Sequence, residues 1–415
     1  MLDFCDAPYC FFPPKPSRPL IWIGKQINRF YALPCKEHRV HEIHLEGNLD
    51  AVREAQRAGD RLLFVINHPT HSDPQVITEM HRRLGVPLRF MAAYDVFLRT
   101  KFNAWCVQKL GHFSIDREGS DRKAMTTAID TLKEGDYALD IFPEGNVYLT
   151  NDRVTPFLDG TAFIALKAQQ ALDSDNVRII PVSLKYTHLT DCREQLVSLV
   201  ESAAKDSGFP FDSKNPVVES VVQLGSYVLA SHLARHGYAD QINADKDDIH
   251  STLADLTSAI VVDLETALDL SPKAGDALVD RIRKTRSNIH QIRTDQKKSA
   301  ATPDIDKLAD KAILAYRILA YLTPYLPDHP SLDRFSETVE RIGEDHFSKT
   351  MGRTASRRAI VSVRDPLNVS EFLEQAGGKL RGAVAPLTAE MERSVQAGLD
   401  EINENNTAPG AMMME

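Results

Sequence analysis

The stretch Leu62-Leu63-Phe64-Val65-Ile66-Asn67-His68-Pro69-Thr70-His71-Ser72-Asp73-Pro74 decides how the rest of the chain is read. An uninterrupted apolar run that ends in turn residues predicts a buried strand. The turn holds two histidines and an aspartate, and Pro74 opens a helical pattern over 74–84. Asp73 before Pro74 suits a helix N-cap with proline at the first helical position. A polar turn between a strand and a helix is where open α/β sheets place ligands. A neutral imidazole is the usual general base near pH 7, and it works best when a carboxylate holds its other ring nitrogen. His68 and Asp73 stand five residues apart, about 140° out of phase on an ideal helix. They can therefore meet only across a tight turn, which Pro69 and Pro74 favour.

Outward from this segment, β-rich runs recur at 62–66, 88–91, 138–142 and 178–184, with helical patterns at 74–84, 121–134 and 160–170 between them. This alternation predicts an α/β domain over 46–195, a mostly parallel sheet flanked by helices. Residues 1–45 are rich in proline and aromatics and slightly basic. Within them Leu20, Ile23, Ile27, Phe30 and Tyr31 recur at roughly helical spacing, with Lys25 and Arg29 opposite. That predicts an amphipathic segment which either lies in a membrane interface or docks on its own protein. Beyond 195, Leu253, Leu256, Ile260, Leu264 and Leu268 mark one helical stripe, and Leu278, Ile282, Ile289 and Ile292 another. Further patterns at 308–322 and from 370 into the 390s complete the expectation of a C-terminal all-helical accessory domain, 196–415.

The 415 residues carry a net charge of −9, so a dedicated nucleic-acid binder, which would show a basic excess, is excluded. No run of 18 uninterrupted apolar residues occurs, so no spanning helix is expected. The opening MLDFCDAPYC does not read as a secretory leader. Five scattered cysteines fit a reducing cytosol. The densest basic run, Arg281, Arg283, Lys284, Arg286, Arg293, Lys297 and Lys298, reads as a solvated helix face. Its functional alternative is a site for an acidic acyl carrier protein or anionic headgroups. Cys35, His38, His41 and His44 recur every third residue. Such ligands converge only on a 3₁₀-like turn, whereas Val40, Ile43 and Leu45 point to a strand.

Three later segments repeat the strand-then-turn form: Gly111-His112-Phe113-Ser114-Ile115-Asp116-Arg117, Ile141-Phe142-Pro143-Glu144-Gly145-Asn146 and Ile179-Ile180-Pro181-Val182. With Asn67, His68 and Asp73 ahead of them, in this order and spacing, the chain resembles the glycerolipid acyltransferases, whose best-known members are 1-acylglycerol-3-phosphate acyltransferases. The resemblance covers about residues 45–195. It implies that His68 is the general base that deprotonates a glycerol hydroxyl and that Asp73 orients it. It implies that Arg117 grips the substrate phosphate, that Asn67, Glu144 and Gly145 belong to the acceptor site, and that Pro181 shapes the region under the acyl group.

The reaction it implies needs no metal and no cofactor beyond an acyl thioester, acyl-CoA or acyl carrier protein. The implied acceptor is a lysophospholipid, and the implied setting is the cytoplasmic face of a membrane, peripherally bound. The family's third motif commonly continues with Thr-Arg, the arginine being a second phosphate ligand. Here the continuation is Asn146-Val147-Tyr148, and Arg153 is the nearest replacement. If Arg153 does not reach the site, an acceptor without a phosphate monoester is the alternative. Two further readings stand beside these. One is a metal-dependent hydrolase using His68, His71 and Asp73 with His112 and His188, and the other is a silent lipid-binding scaffold.

Overall fold

The period-two pattern of the central strands sets the architecture of the computed structural model. It describes residues 8–414 apart from 120, 175, 213, 239–248, 273–275, 296–298, 300, 301, 303, 348 and 349. In β2 (Arg61–Ile66), Phe64 and Ile66 face one core while Leu63 and Val65 face the other. Both faces are covered, so the strand is apolar throughout.

The sheet has eight strands in the order β1-β7-β6-β2-β5-β3-β4, with β8 also paired to β6. These are β1 (Val40–Gly47), β3 (Leu88–Ala93), β4 (Phe113–Ile115), β5 (Ala138–Ile141), β6 (Val177–His188), β7 (Arg357–Val363) and β8 (Leu367–Asn368). All pairings are parallel except those of β6 with β7 and β8. Helices α2 (Leu49–Ala58) and α3 (Asp73–Leu84) cover one face, and α6 (Arg122–Glu134) and α7 (Gly160–Gln170) the other. The predicted α/β class and its mostly parallel sheet flanked by helices are thus observed, with further helices toward the C-terminus.

The predicted boundary at 195 needs correction. β7 and β8 come from the stretch expected to be all-helical, and β7 lies inside the sheet, parallel to β1 and antiparallel to β6. Its residues are buried except Arg358. The sheet is therefore closed by a segment that begins 162 residues beyond the predicted boundary (357 − 195).

Before the sheet, residues 8–17 pack along its β4 edge. Phe12 O accepts from Ser114 N at 3.1 Å, and the Phe12 ring stacks on Phe97 at 5.0 Å. Next comes α1 (Arg18–Ile27), which widens into a looser helical turn over Asn28–Ala32. Its stripe is largely turned outward: Ile27 is 55% exposed, Phe30 69% and Tyr31 75%, and Trp22 beside it is 65% exposed. Short helices α4 (Tyr94–Leu98) and α5 (Lys101–Lys109) follow β3. Gly24 lets α1 approach the end of α5, since a Cβ there would sit 2.5 Å from Leu110 Cδ2.

Beyond β6, α8 (Arg193–Ser207), α9 (Val217–Arg235) and α14 (Leu332–Phe347) share one core. α10 (Ile249–Ala267), α11 (Leu278–Thr294) and α12 (Ile305–Ile318) share another, built on the stripes read from the sequence. By length and composition α9 could cross a membrane, unlike the sequence expectation; here Val221, Leu224 and Val228 are buried against α8 and α14. The short α13 (Tyr325–Asp328) precedes α14. At the end, α15 (Val369–Gln375) and α16 (Leu380–Asn405) return to the sheet, α16 packing Leu387, Met391 and Val395 on the α7 side.

Candidate active site

The end of β2 is anchored before the polar turn begins. Asn67 is fully buried, and its side-chain amide donates to Leu184 O at 2.8 Å while its carbonyl accepts from Leu184 N at 2.7 Å. Both functions of the amide are used to hold β6, so the acceptor-binding role expected for Asn67 is corrected to a structural one. Pro181 is also an element of the sheet. Its carbonyl accepts from Arg364 N at 2.9 Å, and in a strand a residue's N–H and C=O share a side. The missing N–H therefore falls where β6 passes from partner β8 to partner β7, the place in a sheet where proline costs least.

The turn after Asn67 brings the histidine and the aspartate together. His68 Nδ1 lies 2.6 Å from Asp73 Oδ2. The helix N-cap is Ser72 rather than Asp73, which leaves the Asp73 carboxylate to fold back into the turn. It is fully buried and also accepts from Thr70 N at 3.0 Å, Thr70 Oγ1 at 3.0 Å and Tyr186 OH at 2.8 Å. A buried carboxylate with this many donors is fixed in direction. Nδ1–H then donates to it, and Nε2 remains with a lone pair for proton transfer. The imidazole lies flat on Phe142, ring centres 4.2 Å apart. Beneath the turn, Arg357 of β7 donates to Ser72 Oγ at 3.1 Å and to His38 O at 2.7 Å, and stacks on Tyr186.

The turn after β5 is tied to the same histidine. Glu144 Oε1 accepts from the His68 backbone N–H at 2.7 Å, and Oε2 accepts from Thr155 N at 3.0 Å and from the Thr155 hydroxyl. Burial pushes the Glu144 carboxyl above its ordinary value, while these hydrogen bonds oppose that shift. Glu144 lines the cavity, but its oxygens are spent on protein donors, so it positions His68 relative to Phe142. Gly145 adopts φ +73°, and a Cβ there would meet Leu158 Cδ1 at 2.8 Å. Arg117 reaches this turn, donating from Nη1 to Gly145 O at 3.4 Å and from Nη2 to Asp95 at 3.1 Å.

Arg153 does not join them. Its guanidinium is 3.9 Å from Asp328 and stacks over Tyr325, and it does not line the cavity. The cause is the path of the chain after Leu149, which has φ +53°. Asn151 is pulled inward by Tyr186 O and N, and Asp152 by Lys185 and Arg334. Those anchors turn the next side chain the other way.

Of the five groups of the metal-hydrolase reading, His68 and Asp73 meet, while the other three histidines have partners of their own. His71 Nε2 is 3.6 Å from Glu344, and burial lowers its pKa. His112 is buried, which pushes it down to about 3, and its Nδ1 accepts the Phe90 N–H at 3.1 Å. His188 pairs with Asp333 at 2.7 Å. Of the equally spaced quartet, His41 and His44 lie in β1, as the strand reading expects, while Cys35 and His38 stand before it, close to Glu37.

A cavity of about 1910 Å³ joins these parts. His68, Phe142, Gly145 and Arg117 line one region, and Trp22, Ile27, Phe102 and Trp105 of α1 and α5 line an apolar region. Three contributors stand outside the site residues expected from sequence. Thr70 sits inside the quoted motif and was legible as a turn donor. Tyr186 is placed by the register of β6. Arg283, on α11, donates from Nη2 to Glu144 O at 3.3 Å and lines the cavity.

Comparison with known proteins agrees with the geometry. No curated protein matches the chain. Residues 46–185 match the family model described as Acyltransferase, that of the glycerolipid acyltransferases with the 1-acylglycerol-3-phosphate acyltransferases among them. That span begins in β1 and ends within β6, covering all four motif segments but neither β7 nor the C-terminal helices. Over residues 46–185, then, the chain is similar to the acyltransferase family.

Proposed function

We propose that this protein moves a fatty acyl group from a thioester, acyl-CoA or acyl carrier protein, to the free hydroxyl of 1-acylglycerol-3-phosphate. The observation that carries this reading is the 2.6 Å contact of His68 Nδ1 with Asp73 on the cavity wall. His68 Nε2 takes the hydroxyl proton as the oxygen attacks the thioester carbonyl. The C–O bond forms, the tetrahedral adduct collapses, the C–S bond breaks, and the imidazolium returns its proton to the leaving thiolate. Asp73 stabilises the imidazolium and holds the tautomer. The thioester is a co-substrate, and no other cofactor enters the sequence of steps.

Outward-facing aromatics support work at a membrane surface. Trp22 and Ile27 of α1 and the stacked pair Phe102 and Trp105 of α5 are exposed at the apolar region of the cavity. An apolar rim of this kind suits a peripheral protein on the cytoplasmic face that draws a lipid acceptor from the bilayer. The dispersal of His71, His112 and His188 weighs against the hydrolase alternative.

The test is incubation with labelled acyl thioesters and a panel of lyso-acceptors, with and without phosphate. Wild type should acylate 1-acylglycerol-3-phosphate, and His68→Ala should lose about 10²–10⁴-fold in kcat with little change in KM. A His68→Ala variant of undiminished rate would overturn the proposal.

A further inference from the structure

α11 lies outside the segment that matches the family, yet it is bolted to both turns that carry the motifs. Arg286 donates through Nη2 to Glu118 Oε1 at 2.5 Å and through Nε to Oε2 at 3.3 Å. His290 Nε2 lies 3.5 Å from Asp116. The helix thus holds the residue on either side of Arg117. One turn nearer its N-terminus, Arg283 donates to Glu144 O at 3.3 Å, while Arg117 donates to the next carbonyl, Gly145 O, at 3.4 Å. Two guanidinium groups from separate parts of the chain therefore converge on adjacent carbonyls of the Phe142–Gly145 turn, whose Glu144 also holds the His68 backbone.

The charge at this point is poorly offset. A carbonyl takes an N–H but does not neutralise a cation. Their ion-pair partners among the described residues are Asp280, 3.5 Å from Arg283 and 55% exposed, and Asp95, 3.1 Å from Arg117 and 50% exposed, while Glu118 and Asp116 are engaged by Arg286 and His290. Half-exposed carboxylates are screened by water. Arg283 is 20% exposed and Arg117 32%, so both are partly shielded while their charge faces the cavity. Two planar forks side by side suit a phosphate dianion. Val147 occupies the place where the resemblance expects a second phosphate-binding arginine, and Arg153 points elsewhere.

Resting on the acceptor reading above, we propose that Arg283 of α11 is the second phosphate ligand. The acceptor then carries a phosphate monoester, clamped between Arg117 and Arg283. The basic run read from sequence as a solvated face is, at Arg283, a wall of the site, and α11 makes the acceptor pocket a joint product of the family domain and the C-terminal helices.

The experiment uses the full chain. Glycerol 3-phosphate is titrated calorimetrically into wild type, Arg283→Gln, Arg283→Lys and Arg153→Gln, and acylation of 1-acylglycerol-3-phosphate and of monoacylglycerol is followed in parallel. Arg283→Gln should weaken glycerol 3-phosphate binding by about 10–100-fold and raise KM for the phosphorylated acceptor alike, as expected for a lost charge-assisted contact. KM for monoacylglycerol should rise far less than that for the phosphorylated acceptor. Arg283→Lys, which keeps charge and loses the fork, should fall between, and it carries the titration if the glutamine variant does not fold. Arg153→Gln should bind as wild type. Unchanged binding by both Arg283 variants, or weakening by Arg153→Gln, would overturn the assignment. The titration needs no turnover, so a protein inactive on every acceptor would sink the acyltransfer proposal and leave this one to be decided by binding.

Discussion

At the scale of single residues, the sequence names the chemistry better than the duty. His68 and Asp73 are legible because proline and motif spacing force a turn, and a turn is the one geometry that lets them touch. Asn67 shows the opposite case. Its place beside His68 suggests contact with substrate, but nothing local tells that Leu184 lies opposite it in the sheet. Removing the amide would strand a buried N–H and C=O, each worth about 1–3 kcal/mol when left unpaired. Asn67→Ala should therefore lower the unfolding free energy by about 2–4 kcal/mol in denaturant titration. Folded Asn67→Ala should keep the wild-type affinity for glycerol 3-phosphate. A tenfold weakening of that affinity with stability unchanged would return Asn67 to the acceptor site.

Among the elements, those with a local signature were readable and those defined by distant partners were not. β2, β3, β5 and β6 announce themselves as apolar runs that end in turns, and α3, α6 and α7 by their stripes. β4 has three residues, too few for any periodicity. α11 was readable as a helix, but which of its faces meets water depends on Glu118 and Asp116, far away in sequence. α1 is the reverse: its stripe was plain, and only the fold shows that the stripe is left uncovered. Burying such aromatics in an interface contributes up to about 1.5–3 kcal/mol each. Changing Trp22, Phe30 and Tyr31 together to serine should cut sedimentation with anionic vesicles at least about tenfold, and leave the thermal melt unaltered because none of the three is in a core. Full retention of vesicle binding would refute a membrane role for α1.

For the whole molecule, the decisive fact is that the His68–Asp73 turn rests on a strand supplied from near the far end of the chain. Composition marks residues 46–195 as a self-contained α/β unit, and the family match stops at 185. Neither could reveal β7, since a strand wedged between two others is defined by the strands it joins. β7 connects β1 to β6 and buries Ile360, Val361 and Val363, together with Arg357 under the His68–Asp73 turn. Three such side chains contribute about 5–9 kcal/mol of burial, comparable to the 5–15 kcal/mol by which domains are stable at all. Without β7, the backbone edges of β1 and β6 would also lie open. A polypeptide ending at residue 195 should therefore show no cooperative unfolding transition and no binding of glycerol 3-phosphate. Adding residues 350–415 as a separate chain should restore a sigmoidal melt if β7 and α16 are the missing support. A shortened chain that melts sharply by itself would show that β7 is an accessory to the sheet rather than a condition for it.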